Sequence, residues 1–379
     1  MSKILFLANH FITLYNFRKE LIKRIVDEGH EVYLSIPASD QNEFFRELGC
    51  EIIETPIDRR GVNPVKDIKL ILSYHLLIKQ LKPDIIFSYT IKPNIYGSMI
   101  SNILKIKQVS NVTGTGATFI NNNLISKVAK AFYKISIKHS YKVFFQNKGD
   151  CEFFIKNKMI KSNYDILPGS GVNLEHFKYS NLPHDNETNF IFIGRIMKLK
   201  GIDEYLKAAQ VIKSEFPNTN FFVAGFIEEE KYKKIIDDYN NNGIINYIGF
   251  QKDIKSWIEK CHCTILPSYG GEGVPNVLLE SAAMGRICIA SNIDGSKEVI
   301  DNYTTGYLFE KGNEQDLINK IKLFLNQSSD NKRAMGIRSR EKMIKEFNRE
   351  FIIDKYLKEI KLLEVEKNDG KKKGTFTKV

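Results

Sequence analysis

Short runs of apolar residues recur along this chain without polar alternation, and longer amphipathic stretches separate them. A strand that is apolar at every position is buried on both faces, as in a parallel sheet covered by helices on each side. The stretches between such runs have the spacing of the helices that connect parallel strands. This alternation predicts an α/β fold built from doubly wound parallel sheets.

The alternation occurs twice along the chain. In the first half, strands are predicted at 3–8, 30–36, 51–53, 83–88, 108–112 and 143–146, with helices at 17–28, 41–48 and 68–81. In the second half, strands are predicted at 190–193, 220–224, 263–266 and 287–290, with a helix at 202–216. Residues 168–189 are rich in Gly, Pro, Asn and Ser, which is typical of a linker. We expect two Rossmann-like domains, 1–170 and 190–345, facing each other across a cleft and joined by a linker at 171–189.

Charge is distributed unevenly between the two halves. The chain of 379 residues has a net charge of +11; residues 1–180 hold 25 Lys and Arg against 16 Asp and Glu, whereas 181–366 hold 26 against 28. The first half alone is therefore expected to face a polyanion, which could be nucleic acid or an anionic membrane. The five cysteines form no disulfide framework and favour a reducing cytoplasm. The basic residues 367–379 are expected to be disordered.

The second half contains a glycine-rich turn between a strand and a helix, in the sequence PSYGGEGVPNVLLESAAMG (267–285). Backbone N–H groups at a helix start form a site for anions or hydroxyls, and glycine permits close backbone approach. Glu272 precedes this helix and Glu280 lies within it, so two carboxylates can grip sugar hydroxyls. The alternative is an ordinary turn with two solvated glutamates.

A second basic element, GRIMKLK (194–200), directly follows the strand at 190–193. Arg195 and Lys200 can both project from a strand's carboxyl end and would suit a diphosphate, which Arg binds bidentately. A solvated basic turn is the alternative interpretation.

In the first half, lysines occur at helical spacing among apolar residues such as Val128, Phe132 and Ile135. These lysines are Lys127, Lys130, Lys134 and Lys138. A basic amphipathic helix suits an anionic lipid surface, although a solvated helix face gives the same pattern. Lys92, Asn94 and Tyr96 follow the strand at 83–88 and either meet an acceptor diphosphate and its sugar or simply begin a helix.

These motifs together resemble the retaining family 4 glycosyltransferases of the GT-B fold. Glu272 and Glu280 match the family's Glu-x7-Glu signature, GRIMKLKG resembles its phosphate-binding element, and SGVNLEHF and SNIDGSKEVI resemble further motifs. SYTIKPNIYG (88–97) and NVTGTG (111–116) resemble transferases that extend sugars on polyprenyl-diphosphate carriers. The resemblance also implies that a helix at 346–366 returns to the first domain.

The resemblance implies a role for each matching residue. Arg195 and Lys200, after Gly194, would neutralise the donor diphosphate, Glu280 would hold the ribose, and Glu272 would contact the donor sugar. The backbone around the sugar hydroxyls or phosphate would come from Gly273, Val274, Pro275 and Asn276. The first loop, with Asn9 and His10, lacks the family's glycine pair, and Thr113 and Gly114 stand near the position of the family's acceptor-site histidine. No catalytic base is therefore assigned.

The resemblance predicts a retaining transferase with no metal or other cofactor. It would move a hexose or N-acetylhexosamine from a nucleotide sugar, with UDP expected, onto a polyprenyl-diphosphate-linked glycan of a bacterial surface polysaccharide. It would act on the cytoplasmic face of the inner membrane.

The motif Asp-x-Asp is absent, and Cys261-His262-Cys263 is too tight for tetrahedral zinc. A nucleic-acid binder lacks a supporting motif. The glycine motif of a dinucleotide dehydrogenase is incomplete in this chain, because its third glycine is missing. The remaining alternatives are a sugar-nucleotide epimerase of related fold and a transferase with a soluble acceptor.

Overall fold

The computed structural model describes residues 1–58, 63–114, 124–184 and 186–375, with side chains except at 124–126, 129 and 368–375. The chain divides into two units. Unit 1 comprises Met1–Ser170 and Glu350–Val379, and unit 2 comprises Gly171–Arg349. Each unit is built around one sheet.

The sheet of unit 1 has seven parallel strands in the order β3-β2-β1-β4-β5-β6-β7. These strands are β1 (Lys3–Leu7), β2 (Glu31–Ile36), β3 (Glu51–Glu54), β4 (Ile85–Tyr89), β5 (Lys107–Val112), β6 (Lys142–Phe145) and β7 (Tyr164–Ile166). The helices of its first 170 residues are α1 (Phe11–Asp27), α2 (Glu43–Glu47), α3 (Pro64–Leu81), α4 (Ile91–Leu104), α5 (Leu124–Ile137) and α6 (Lys148–Lys156).

Residues of β1 alternate between two apolar cores, one on each face of this sheet. Ile4 and Phe6 pack in the core that contains α1, whereas Leu5 and Leu7 pack in the core that contains α3. All four side chains are fully buried. Burial on both faces explains why the strand sequence shows no polar alternation.

Two helices begin earlier than their apolar periodicity predicts, because a side chain caps each start. The Nδ1 atom of His10 accepts a hydrogen bond from the Ile12 amide, so α1 begins at Phe11 rather than at residue 17. Asn63 accepts bonds from two amides of α3, which begins at Pro64 rather than at residue 68. Helix α4 follows β4 directly, and Lys92, Asn94 and Tyr96 lie in its first two turns.

The sheet of unit 2 has six parallel strands in the order β10-β9-β8-β11-β12-β13. They are β8 (Thr188–Ile193), β9 (Thr219–Ala224), β10 (Asn246–Gly249), β11 (Cys263–Leu266), β12 (Ile287–Ser291) and β13 (Gly306–Phe309). The helices are α7 (Ile202–Glu215), α8 (Tyr232–Asn241), α9 (Ile254–Glu259), α10 (Asn276–Ala283), α11 (Ser296–Val299), α12 (Glu314–Leu325) and α13 (Ser329–Glu346).

Residues 171–184, which the sequence assigns to a linker, pack within unit 2 instead. Val172 and Phe177 are buried in one of its apolar cores. The buried guanidinium of Arg286 donates hydrogen bonds to the carbonyl and hydroxyl oxygens of Ser180. These contacts explain why a segment rich in turn-forming residues is part of a domain.

The last helix, α14 (Arg349–Thr375), packs on unit 1, where Ile353, Tyr356 and Ile360 are buried in the same core as Phe6. Its backbone is helical to Thr375, beyond residue 366, where the sequence predicts that the helix ends. Residues 376–379 of the predicted disordered tail lie outside the described part. Within the described residues, no helix combines the length and apolar character needed to cross a membrane.

Candidate functional site

The sheet of unit 2 has a topological switch point between the neighbouring parallel strands β8 and β11. Strands β9 and β10 extend the sheet on one side of β8, whereas β11, β12 and β13 extend it on the other. In open α/β sheets, ligands bind at the carboxyl ends of the strands that flank such a switch point. Both motifs of the second half, 194–201 and 267–275, follow these two strands.

Gly201 allows the loop after β8 to lie against the loop after β11. Its φ is 74°, and a Cβ atom there would lie 1.9 Å from the carbonyl oxygen of Pro267. A hydrogen bond of 2.9 Å from the Tyr269 amide to the Leu199 carbonyl joins the same two loops. Lys200 is thereby placed beside the glycine-rich turn.

Lys200 and Glu272 form an ion pair at this junction. The Nζ atom of Lys200 lies 2.7 Å from Oε1 of Glu272, and both side chains are less than one quarter exposed. The Ser268 hydroxyl donates a hydrogen bond of 2.6 Å to the same oxygen. Burial favours a higher pKa for Glu272, but Lys200, the hydrogen bonds and Arg195 outweigh it and lower this pKa. Glu272 is therefore a carboxylate that accepts hydrogen bonds.

Arg195 extends from the end of β8 toward the β9–α8 connection. Its guanidinium lies 3.6 Å from Oε1 of Glu228 and its side chain is 43% exposed. The pairing follows from a short backbone bridge in which Ile196 pairs with Ile227. The site thus presents a partly exposed guanidinium near a partly buried ammonium.

The glycine-rich turn leads into α10, which no described side chain caps. Pro275 is its N-cap and Asn276 its first residue. Gly273 and Val274 are buried. A Cβ atom on Gly295, in the loop after β12, would lie 1.9 Å from the carbonyl oxygen of Gly273. The backbone at the start of α10 is therefore fixed from the β12 side.

Glu280 lies in α10, half-buried. Burial raises its pKa to about 7, and Arg349 offsets part of that effect. A carboxyl group with such a pKa gains from a ligand that donates hydrogen bonds to its charged form.

Cys261, His262 and Cys263 are completely buried, and Nδ1 of His262 accepts a hydrogen bond from the Asn189 amide. Across the described residues, no group of three or more His, Cys, Asp or Glu side chains is arranged to hold a metal ion.

In unit 1, the predicted acceptor residues follow β1, β4 and β5, of which β1 and β4 flank the switch point of that sheet. Asn9 accepts a bond of 3.5 Å from the Thr13 hydroxyl. His10 caps α1 as described above. Thr113 and Gly114 are partly exposed after β5, whereas Thr115 and Gly116 of the same motif lie outside the described residues.

Lys92 and Tyr96 share a partner on the neighbouring helix. The Nζ atom of Lys92 lies 2.6 Å from a carboxylate oxygen of Asp67. Burial raises the pKa of Tyr96, and Asp67 raises it further. Asn94 is fully buried and bonds to Ser88, Asn111 and Tyr133, so its amide is satisfied inside the domain. This geometry gives no support to acceptor contact by Asn94, because none of its polar atoms faces solvent.

The predicted membrane lysines lie on or directly after α5. Lys127 and Lys134 are exposed, and Lys130 and Lys138 are partly exposed. The apolar residues Val128 and Phe132 are each nearly half exposed. The side chain of Leu124, another apolar residue of the pattern, lies outside the described ones.

Three contributors to the site were missed by sequence reasoning: Ser268, Glu228 and Gly295. Ser268 lies inside the quoted motif, four residues before Glu272, and that spacing was an available signal. Gly295 lies inside SNIDGSKEVI (291–300), but nothing in that motif singled it out. Glu228 lies in the β9–α8 connection and reaches the site only through the fold.

Two family models match this chain. Residues 175–345 match the model "Glycosyl transferases group 1", and residues 3–147 match "Glycosyl transferase 4-like". The chain belongs to the glycosyltransferases, with a first domain of the 4-like type, a second of the group 1 type, and the two-domain GT-B fold expected from its motifs.

The chain is also similar to two named transferases and to a solved structure. The N,N'-diacetylbacillosaminyl-diphospho-undecaprenol alpha-1,3-N-acetylgalactosaminyltransferase of Campylobacter jejuni is 28% identical over 341 residues, which are 85% of this chain and 89% of the relative. The UDP-Gal:alpha-D-GlcNAc-diphosphoundecaprenol alpha-1,3-galactosyltransferase of Escherichia coli is 26% identical over 282 residues, 69% and 71% of the two chains. Among solved structures, Anabaena HepE in complex with UDP and glucose superposes with a TM-score of 0.77 at 17% identity, covering 95% of this chain and 100% of HepE.

Proposed function

We propose that this protein is a retaining glycosyltransferase that moves a hexose or N-acetylhexosamine from a UDP-sugar onto a polyprenyl-diphosphate-linked glycan. The product would enter a bacterial surface polysaccharide. The acceptor class is supported by the two relatives that act on undecaprenyl-diphosphate-linked sugars. UDP is supported by the Escherichia coli relative and by HepE. Retention is an inference from the Glu-x7-Glu signature.

The observation that carries this proposal is the Lys200–Glu272 ion pair at the switch point of unit 2. An ammonium has three N–H donors, so Lys200 can bind Glu272 and still donate to phosphate oxygens. Glu272, held as a carboxylate, can accept hydrogen bonds from sugar hydroxyls. This ion pair can thus bind both the phosphate oxygens and the sugar hydroxyls of a sugar diphosphate.

Catalysis follows from where charge develops. Cleavage of the sugar–diphosphate bond leaves an oxocarbenium-like sugar and increases the negative charge on the diphosphate. Arg195, Lys200 and the start of α10 are positioned to stabilise that charge as it forms. We propose that these cations supply what a divalent metal supplies in other transferases. Glu280 would accept hydrogen bonds from the ribose.

The acceptor is assigned to unit 1. Asn9, His10, Lys92, Tyr96, Thr113 and Gly114 follow strands whose carboxyl ends form one edge of that sheet. A lipid-linked acceptor requires contact with a membrane, for which we propose Lys127, Lys130, Lys134 and Lys138 on the cytoplasmic face of the inner membrane. Each lysine near anionic lipid contributes about 1 kcal/mol.

The test is transfer of labelled sugar from a panel of UDP-sugars to a polyprenyl-diphosphate-linked acceptor, with EDTA present. We expect label in the lipid fraction and an α-linkage from an α-linked donor, determined by NMR. Epimerised free nucleotide without lipid labelling would identify an epimerase. Label on a water-soluble sugar alone would contradict the lipid-linked acceptor, and an inverted anomer would contradict retention.

A further inference from the structure

Helix α3 is apolar on two opposite faces. Leu70, Tyr74 and Ile78 are buried against the sheet of unit 1. On the outer side, four apolar side chains follow one another at spacings of three and four residues, and each is more than half exposed: Val65, Ile68, Leu72 and Leu76. A helix that packs on a sheet through one face ordinarily has a polar outer face. The outer line of α3 therefore lacks an explanation in the fold of the unit.

Helix α5 shows the same arrangement. Tyr133 and Ile137 are buried in the core, whereas Val128, Phe132 and Ile135 face outward, with Ile135 at 68% exposure. Both helices therefore carry an inward and an outward apolar line.

The two outward lines belong to one surface, because α4 packs between α3 and α5 on the same side of the sheet. Helix α4 contributes Ile103 to this surface, which is 66% exposed. We call these outward side chains, with the lysines of the three helices, the α3–α5 face. Extended apolar surfaces of this kind mark interaction sites.

The charges of this face are almost all positive. Helices α3, α4 and α5 contain seven lysines and a single acidic residue, Asp67. That aspartate is paired with Lys92 at 2.6 Å. On the other side of the sheet, α1 mixes basic residues with Glu20 and Asp27. The three helices of the α3–α5 face thus have a net charge of +6, against +2 for α1.

We propose that the α3–α5 face docks on an anionic lipid bilayer, with the outer apolar lines of both α3 and α5 entering the headgroup region and the lysines contacting lipid phosphates. Apolar side chains flanked by lysines form the pattern of interfacial helices. A second copy of this chain is a poorer partner, because a two-fold contact would place the lysines of two identical faces together. The proposal rests on the membrane contact proposed above and extends it from the lysines of α5 to the apolar line of α3.

The first test is vesicle sedimentation with full-length Leu72→Gln/Leu76→Gln. We expect at least a tenfold weaker affinity for vesicles containing 30% phosphatidylglycerol, because both side chains leave the lipid interface. The matched control is Leu323→Gln/Ile344→Gln, which changes two similarly exposed apolar residues of unit 2 and should bind within twofold of the wild type. Equal binding by the wild type and the α3 variant would overturn the proposal.

The second test measures insertion directly. All five native cysteines are buried, so a thiol-reactive bimane would label an introduced cysteine selectively. We expect bimane on Leu72→Cys to shift to the blue and to be quenched by brominated lipid, and bimane on Leu323→Cys to show neither change. Absence of quenching at residue 72 would contradict insertion of α3. A wild-type dimer that Leu72→Gln/Leu76→Gln dissociates, measured by light scattering, would instead identify a second copy as the occupant and overturn the proposal.

These tests separate docking from catalysis. Both α3 substitutions lie far in sequence from the donor motifs, so UDP binding and unfolding temperature should match those of the wild type. Vesicle binding without sugar transfer would contradict the proposed function and support docking. Transfer to a detergent-solubilised acceptor, with vesicle binding unaffected by the α3 substitutions, would support the function and contradict docking.

Discussion

The hydroxyl of Ser268 donates a hydrogen bond of 2.6 Å to the same carboxylate oxygen of Glu272 that binds the Lys200 ammonium. One oxygen thus has two donors, one neutral and one charged. Ser268 is completely buried, whereas the Glu272 side chain is 20% exposed. This arrangement orients Glu272 and stabilises its charged form.

Removing the Ser268 hydroxyl should change the pH dependence of the enzyme. Ser268→Ala removes one donor that lowers the pKa of Glu272, so the acidic limb of kcat/KM should move to higher pH. Ser268→Thr keeps a hydroxyl and should retain most of the wild-type profile. A profile that falls in height without moving would show that Ser268 acts only in packing.

Loss of either member of the ion pair should impair transfer while the fold is retained. We expect Lys200→Ala and Glu272→Ala to lower kcat/KM about 100-fold or more, as for other preorganised electrostatic contacts. Lys198→Ala is the control, because Lys198 is exposed in the same turn. Transfer by either variant at the rate of the control would remove that residue from the mechanism.

Glu280 should make stability and donor binding depend on pH in opposite directions. Its pKa is raised from 4.5 to about 7, so the folded state binds the proton more tightly and stability falls as pH rises from 5 to 8. The loss is at most about 3 kcal/mol, and Glu280→Gln should remove it in thermal melts. UDP binding should strengthen over the same range, because ribose hydroxyls favour the carboxylate. If calorimetry shows the same pH dependence of UDP binding in Glu280→Gln as in the wild type, Glu280 does not bind the ribose.

Gly201→Ala should destabilise unit 2 strongly. The new Cβ atom would collide with the Pro267 carbonyl, and the residue would also be held at positive φ. Gly243→Ala is the control: Gly243 has a φ of 66° but nothing within 4 Å of the new Cβ, so it bears only the conformational cost, about 1–2 kcal/mol. Chemical denaturation should show a clearly larger loss for Gly201→Ala, and equal losses would mean that the loops separate without cost.

Neutralising the α5 lysines should weaken membrane binding in a salt-dependent manner. We expect the Gln variant of Lys127, Lys130, Lys134 and Lys138 to sediment less with anionic vesicles, most clearly at low ionic strength, where screening is weak. A variant with four lysines of unit 2 changed to Gln controls for net charge; these are the exposed lysines at residues 207, 233 and 234 and the partly exposed lysine at residue 213. Equal loss in both variants would place the effect in overall charge rather than in α5.

The amino-acid sequence by itself determined the fold class and the core of the candidate site. Buried strands such as Lys3–Leu7 and Cys263–Leu266 are apolar at every position except Lys3 and Thr264, and that property depends only on local composition. Lys200 and Glu272 were found because each lies in a motif that follows such a strand, and parallel strands end at the same edge of a sheet.

Only the tertiary structure decided which residues support that site and which predicted residues take part in it. Glu228 and Gly295 reach it from separate connections, and the burial of Asn94 depends on contacts with β5 and α5. The exposure of the outer apolar line of α3 also depends on the tertiary structure. Its residues differ from the buried Leu70 and Tyr74 only in the direction they face, and the packing of the helix on the sheet sets that direction.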